Sequence, residues 1–78
     1  MPAKPASPET PTRSVEQLGA AVARFRKLHD QSQAEVARSA GMRQATLSRV
    51  ESGKADPSLK TVYALCAALG LELVVRPR

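Results

Sequence analysis

The chain has 78 residues and a net charge of +5, from 12 Lys and Arg against 7 Asp and Glu. That length allows one small domain at most, and the positive excess points to a polyanionic partner, of which nucleic acid is the commonest. The aromatics are Phe25 and Tyr63 alone, too few for a platform that stacks single-stranded bases. Cys66 is the sole cysteine, which excludes an intrachain disulfide framework and suits a reducing cytosol. No apolar run approaches the roughly 20 residues of a membrane span, and the Pro-rich start lacks the apolar core of a secretory signal. A soluble, cytoplasmic protein is expected.

Met1 to Arg13 carries Pro2, Pro5, Pro8 and Pro11 among Ala, Ser and Thr. Such spacing favours extended, polyproline-like conformers, so residues 1–13 are expected to form a disordered arm that packs against nothing. The regular Pro period also fits a docking peptide. Order begins at Ser14, which with Gln17 reads as a capping box. Val15, Leu18, Val22, Phe25 and Leu28 then recur at helical spacing, predicting a first helix over 15–29. Ser32 and Glu35 repeat the device and open a second helix, 33–40, ended by Gly41. A third helix, 44–52, stops at Gly53. Asp56-Pro57-Ser58 reads as a turn and N-cap before a fourth helix, 59–69, with Leu59, Val62, Leu65, Cys66 and Leu69 inward and Gly70 after it. From Leu71 the period changes to two: Leu71, Leu73 and Val75 alternate with Glu72, Val74 and Arg76, the pattern of a strand that Pro77 closes. A lone strand has no partner within four helices. It lies as an irregular tail or pairs with a second chain, and it is the strongest hint of a dimer in the sequence.

The third helix is the most informative. At about 100° per residue, Gln44, Ser48, Ala45 and Arg49 fall on one arc of roughly 140°, while Leu47 and Val50 point the opposite way. Gln can bond an adenine edge in bidentate fashion, Arg a guanine edge, and Ala can touch a thymine methyl. Taken alone, this face fits an ordinary amphipathic helix equally well. The flanking pattern decides the matter.

The succession of a first helix, Q-A-E-V-A, Gly41, Q-A-T-L-S-R-V-E-S-G-K and a fourth helix resembles the Cro/C1-type (Xre) helix-turn-helix family over Leu18 to Leu71. The resemblance implies a compact, all-α bundle of four helices that binds DNA. It assigns base reading to Gln44, Ala45, Ser48 and Arg49, and a backbone phosphate to Gln33. Arg43 stands where many relatives carry a small polar cap, so it is expected to weaken the cap and add a DNA contact. Gly53, Lys54 and Lys60 map to a second phosphate site built from backbone amides and cations, and Thr46 joins this phosphate or flank set. The resemblance further implies a partly buried ion pair between Arg26 and Glu51.

Other readings are weaker. Glu51 as a catalytic carboxylate lacks a second carboxylate or a histidine in any motif, and no nucleophile, base or metal site assembles. His29 reads as a helix-terminus residue rather than a metal ligand, and Cys66 as a small hydrophobe rather than a redox sensor. Arg24, Arg26, Lys27 and Arg38 form a basic flank with no individual assignment. No catalytic residue, metal or cofactor is expected.

Within the family, M-R-Q-A-T-L-S-R-V-E followed by L-G-L-E-L-V-V-R-P is similar to antitoxins of the HipB type, partners of HipA-type kinase toxins. That likeness implies a homodimer in which Leu71, Leu73, Val74 and Val75 form a strand paired with its twin, binding a palindromic operator and repressing its own operon. This chain differs at its ends, so no toxin contact carries over by residue. A stand-alone phage-like or restriction-controller repressor, and a module that chiefly inhibits a kinase, are the alternatives.

Overall fold

The computed structural model describes residues 9–78, so the expectation of a disordered arm falls mostly outside the described residues. Four helices follow in order: α1 Val15–Leu28, α2 Gln33–Ala40, α3 Gln44–Glu51 and α4 Leu59–Leu69. The architecture is the all-α, repressor-like bundle that the sequence predicts. No helix among the described residues is long and apolar enough to cross a membrane.

The caps explain the helix boundaries. Ser32 and Glu35 form a reciprocal capping box at α2, with the Ser32 amide donating to Glu35 Oε1 at 2.8 Å. At α1 only half of the expected box forms. Ser14 Oγ accepts from the Gln17 amide at 3.0 Å, but Gln17 Oε1 takes the amide of Arg13 rather than that of Ser14. His29 is the C-cap of α1, one residue earlier than expected as a helix end. Asp30 then turns through the left-handed region at φ 58°. Gly41 ends α2 in the same region, at φ 71°.

Val22, Val36, Ala37, Leu47, Val50, Leu65 and Leu69 make one core, in which Val36 and Leu47 are completely buried. α1 packs on α3, and α2 packs on both α3 and α4. Leu59, expected to face inward, is 60% exposed, and Leu28, the last of the apolar residues at helical spacing in α1, is 63% exposed. Each is a terminal residue of its helix, the last of α1 and the first of α4, where side chains overhang the layer of neighbouring helices. Gly19, unremarked in the sequence, is buried at the crossing of α1 and α3. A Cβ there would collide with the carbonyl oxygen of Val50 and lie 3.1 Å from that of Glu51. The two helices touch backbone to backbone.

The ends of the domain depart from expectation. Residues 71–78 carry no regular secondary structure, and no strand forms among the described residues. A ladder needs a second strand, and a single chain offers none, so the predicted dimerisation strand at Leu71, Leu73, Val74 and Val75 lies here as an irregular tail. Leu71 is half-buried against the core, and its amide donates to the Cys66 carbonyl at 2.8 Å. The arm residues that are described do not hang free. Glu9 pairs with Arg76 at 2.7 Å, and Arg24 Nη1 donates to Thr10 Oγ1 at 2.7 Å. Charged and hydroxyl side chains between the prolines supply contacts that a reading of backbone propensity overlooked.

Candidate nucleic-acid interface

α3 is held from behind and open in front. Leu47 and Val50 are buried to 0% and 1% exposure, whereas Gln44, Ala45, Thr46, Ser48 and Arg49 are all exposed. The arc read from the sequence is therefore a continuous solvent face. Arg43 is the N-cap residue and makes no side-chain cap bond, as its long cationic side chain predicts. Its charge faces solvent at the start of the helix.

The face is braced from inside. Arg26 Nε donates to Glu51 Oε2 at 2.7 Å and Arg26 Nη2 to Glu51 Oε1 at 3.0 Å, a bidentate pair from α1 to the last residue of α3. The side chains of the pair are 12% and 7% exposed. Arg26 Nη1 also donates to the Gln31 carbonyl at 2.9 Å, fixing the loop before α2. Gln33 joins the same carboxylate, with Nε2 donating to Glu51 Oε1 at 2.9 Å. The carboxylate thus ties α1, α2 and α3 together, and one amide hydrogen of Gln33 is committed to it. Burial pushes the Glu51 carboxyl up, but hydrogen bonds from Arg26 and Gln33 and the charges of Arg26 and Lys27 outweigh it, leaving the group below its ordinary range. The hydrogen bond to Glu51 holds the Arg26 guanidinium charged still more firmly.

At the far end of α3 the structure corrects one expectation. The amides of Gly53 and Lys54 were expected to help clamp a phosphate, but together with that of Ala55 they close the helix instead. Gly53 donates to the Val50 carbonyl at 3.1 Å, and Lys54 and Ala55 donate to that of Arg49 at 2.9 and 3.2 Å. Helix carbonyls left without partners at a C-terminus capture the nearest donors first. Gly53 contributes conformation: φ is 76°, and a Cβ would approach Glu16 Cγ to 2.9 Å. The side chains of Lys54, just beyond α3, and Lys60, in the first turn of α4, are exposed. Arg49 folds over the same turn, with Nη2 donating to the Lys54 carbonyl at 3.2 Å. That contact uses one of the five N–H donors of a guanidinium.

A second surface lies apart from α3. Residues 9–13, α1, α4 and the tail enclose a cleft of about 640 Å³ whose walls include Phe25, Val62, Cys66, Leu69, Leu73 and Val75. Burial raises the pKa of the Cys66 thiol, in keeping with an apolar packing role. Val74 and Val75 are 58% and 93% exposed.

Comparison with known proteins agrees with this geometry. The helix-turn-helix family model matches residues 22–75. An uncharacterised HTH-type transcriptional regulator of Methanocaldococcus jannaschii is 33% identical over 49 residues, covering 63% of this chain and 74% of that protein. Among solved structures, HipB in a complex with an O4 20mer superposes with a TM-score of 0.80 at 26% identity, covering 88% of this chain and 97% of that one. HipB in a HipA-HipB-O2-O3 complex gives 0.79 at 26% identity, with the same coverage of 88% and 97%. The restriction-modification controller protein C.AhdI from Aeromonas hydrophila gives 0.73 at 26% identity, covering 74% and 88%. An exposed polar helix braced on a part-buried ion pair, together with a family match running from α1 into the tail, places this chain in the helix-turn-helix family, in its Cro/C1 type, as a transcriptional regulator.

Proposed function

We propose that the chain is a sequence-specific repressor that binds a palindromic operator as a homodimer, and that it is the antitoxin of a HipA-like kinase. The observation that carries this reading is the outer face of α3, where Gln44, Ala45, Ser48 and Arg49 are exposed on a helix whose other side is buried. Gln44 reads an adenine edge, Arg49 a guanine edge, Ala45 a thymine methyl, and Ser48 either kind of base. Arg49 releases or keeps its bond to the Lys54 carbonyl while its other donors face the groove. Gln33, Arg43, Thr46, Lys54 and Lys60 hold phosphates on either side and fix the register of the helix without reading sequence. Gly53 shapes the turn that presents Lys54.

The homodimer follows from the tail. Alternating Leu71, Leu73 and Val75 find no second strand in their own chain, and a two-fold partner supplies one. Such a dimer sets two recognition helices about one DNA turn apart, roughly 34 Å, and so demands a palindrome. The antitoxin role rests on the likeness to HipB, which covers 88% of this chain. With α3 occupied by DNA, the kinase sits on another surface: α1, α4 or the arm. A stand-alone controller without a toxin is the second reading, favoured by the likeness to C.AhdI. A module that only inhibits a kinase, without DNA, has no use for the α3 face.

The test has two arms. Duplex DNA from upstream of the chain's own gene is titrated by fluorescence anisotropy at several salt concentrations, and the products of adjacent genes are co-expressed for co-purification. Salt-dependent, sequence-selective binding with a co-purifying kinase supports the full reading. Binding without a kinase partner leaves the stand-alone repressor, and absence of duplex binding overturns the DNA-binding assignment.

A further inference from the structure

We infer that Glu51 is a positioning residue for DNA binding: it holds the Gln33 side chain in the one amide orientation that presents a donor to a backbone phosphate. The inference rests on the reading of Gln33 as a phosphate contact and says what prepares that contact. Glu51 is the last residue of α3, and its side chain is only 7% exposed. Gln33 is the first residue of α2 and half-buried. Glu51 therefore acts through Gln33 rather than on the DNA.

The chemistry of the pair fixes the amide. An ionised carboxylate only accepts hydrogen bonds, so the atom 2.9 Å from Glu51 Oε1 is the nitrogen of Gln33, Nε2. The reversed amide would set its carbonyl oxygen against that carboxylate. One Nε2 hydrogen is taken. The other, on a half-exposed residue, remains for an acceptor outside, and a phosphate oxygen is one. The carboxylate is itself immobilised, because Arg26 holds both of its oxygens, at 2.7 and 3.0 Å. The same guanidinium donates to the Gln31 carbonyl at 2.9 Å, two residues before Gln33. One cation thus fixes both the anchor of the Gln33 side chain and the backbone leading into it. It also cancels the charge with which a lone Glu51 would repel a phosphate. Ordering a rotamer-rich side chain at the moment of binding lowers affinity by about two- to ten-fold. The bond to Glu51 moves that ordering into folding, so Gln33 meets the DNA already set.

The experiment is a double-mutant cycle on DNA affinity, read by fluorescence anisotropy on duplex DNA from upstream of the chain's own gene. Circular dichroism confirms that each variant of the full chain is folded. One side of the cycle is Gln33→Ala. The other exchanges the whole ion pair, Arg26→Met together with Glu51→Leu, because replacing both partners by apolar residues spares a fold that losing one partner does not. The exchange weakens binding about two- to ten-fold when Gln33 is present and leaves the affinity of Gln33→Ala unchanged. A loss of the same size in both backgrounds, as a displaced α3 would give, overturns the inference, and so does no loss in either. If Gln33→Ala binds as tightly as wild type, the phosphate reading of Gln33 falls and the inference with it. A wild type that binds no duplex removes the DNA-binding assignment as well. A second measurement uses the wild type alone. In the free protein the NMR order parameter of Gln33 Nε2 approaches the roughly 0.85 of rigid backbone, while that of Gln44, exposed on α3, falls below about 0.6. A Gln33 side chain as mobile as that of Gln44 overturns the inference even if the exchanged protein fails to fold.

Discussion

Replacing Gly19 with Ala is expected to destabilise this domain, although the same change in an exposed helix stabilises by roughly 1 kcal/mol. The reason lies in what the added methyl meets. It would overlap the carbonyl oxygen of Val50 and stand 3.1 Å from that of Glu51. Both are backbone atoms of α3, so no side chain can rotate away. α1 and α3 must separate by on the order of an ångström, which loosens the dispersion contacts along their crossing and strains the Arg26–Glu51 pair. Overpacking of this kind costs about 1–3 kcal/mol, and a collision with backbone belongs at the upper end. After the gain in helix propensity, a net loss of about 2 kcal/mol remains. For a domain this small that lowers Tm by roughly 8–16 °C. Thermal unfolding followed by circular dichroism measures it, with Gly41→Ala as the comparison. Gly41 has open space around its Cβ position and only the φ of 71° to oppose substitution, at about 1–2 kcal/mol. A Gly19→Ala protein with unchanged or higher Tm would refute the claim that the two backbones touch.

Three further outcomes follow from the brace and the tail. Arg26→Met leaves Glu51 largely buried without its bidentate partner and should cost about 2–4 kcal/mol in urea unfolding, somewhat less than a fully desolvated pair; Glu51→Gln keeps one acceptor oxygen but turns an NH2 donor toward Arg26 or Gln33, and should also destabilise. The folded pKa of Glu51 lies below its ordinary value of 4.5. Its contribution is therefore complete above that pH and lost as pH falls through the folded value, so wild type should lose stability below pH 4.5 more steeply than Glu51→Gln. A chain ending at Gly70 should sediment as a monomer where the full chain is dimeric, and an unchanged molecular mass would remove the tail from the interface.

Much of this fold was legible because local rules agreed with one another. The Ser32–Glu35 box, Gly41 and Gly70 mark helix ends by chemistry that acts within a few residues, and Leu47 and Val50 separate buried from open sides of α3 by periodicity alone. What remained hidden depends on tertiary contact. Gly19 in the middle of a helix was the available signal for a close helix crossing, but only the position of α3 gives it meaning. The capture of the Gly53, Lys54 and Ala55 amides by the carbonyls of Val50 and Arg49 depends on how one turn closes, which spacing does not reveal. Gln33 binding to Glu51 joins residues far apart in sequence. The contacts of Glu9 and Thr10 escaped notice because Pro-rich composition speaks only about backbone preference.

The central claim is that the outer face of α3 reads DNA sequence, and selection of binding sites from randomised duplex DNA tests it most directly. Wild type should enrich a two-fold symmetric motif with half-sites about one helical turn apart. Arg49→Ala should relax preference at one position of each half-site and cost about 1–3 kcal/mol there. Lys54→Ala should weaken binding to all sequences alike, leave the motif unchanged and reduce the salt slope by about one. Failure of the wild type to enrich any motif, or an Arg49→Ala motif identical to that of wild type at equal affinity, would contradict the account.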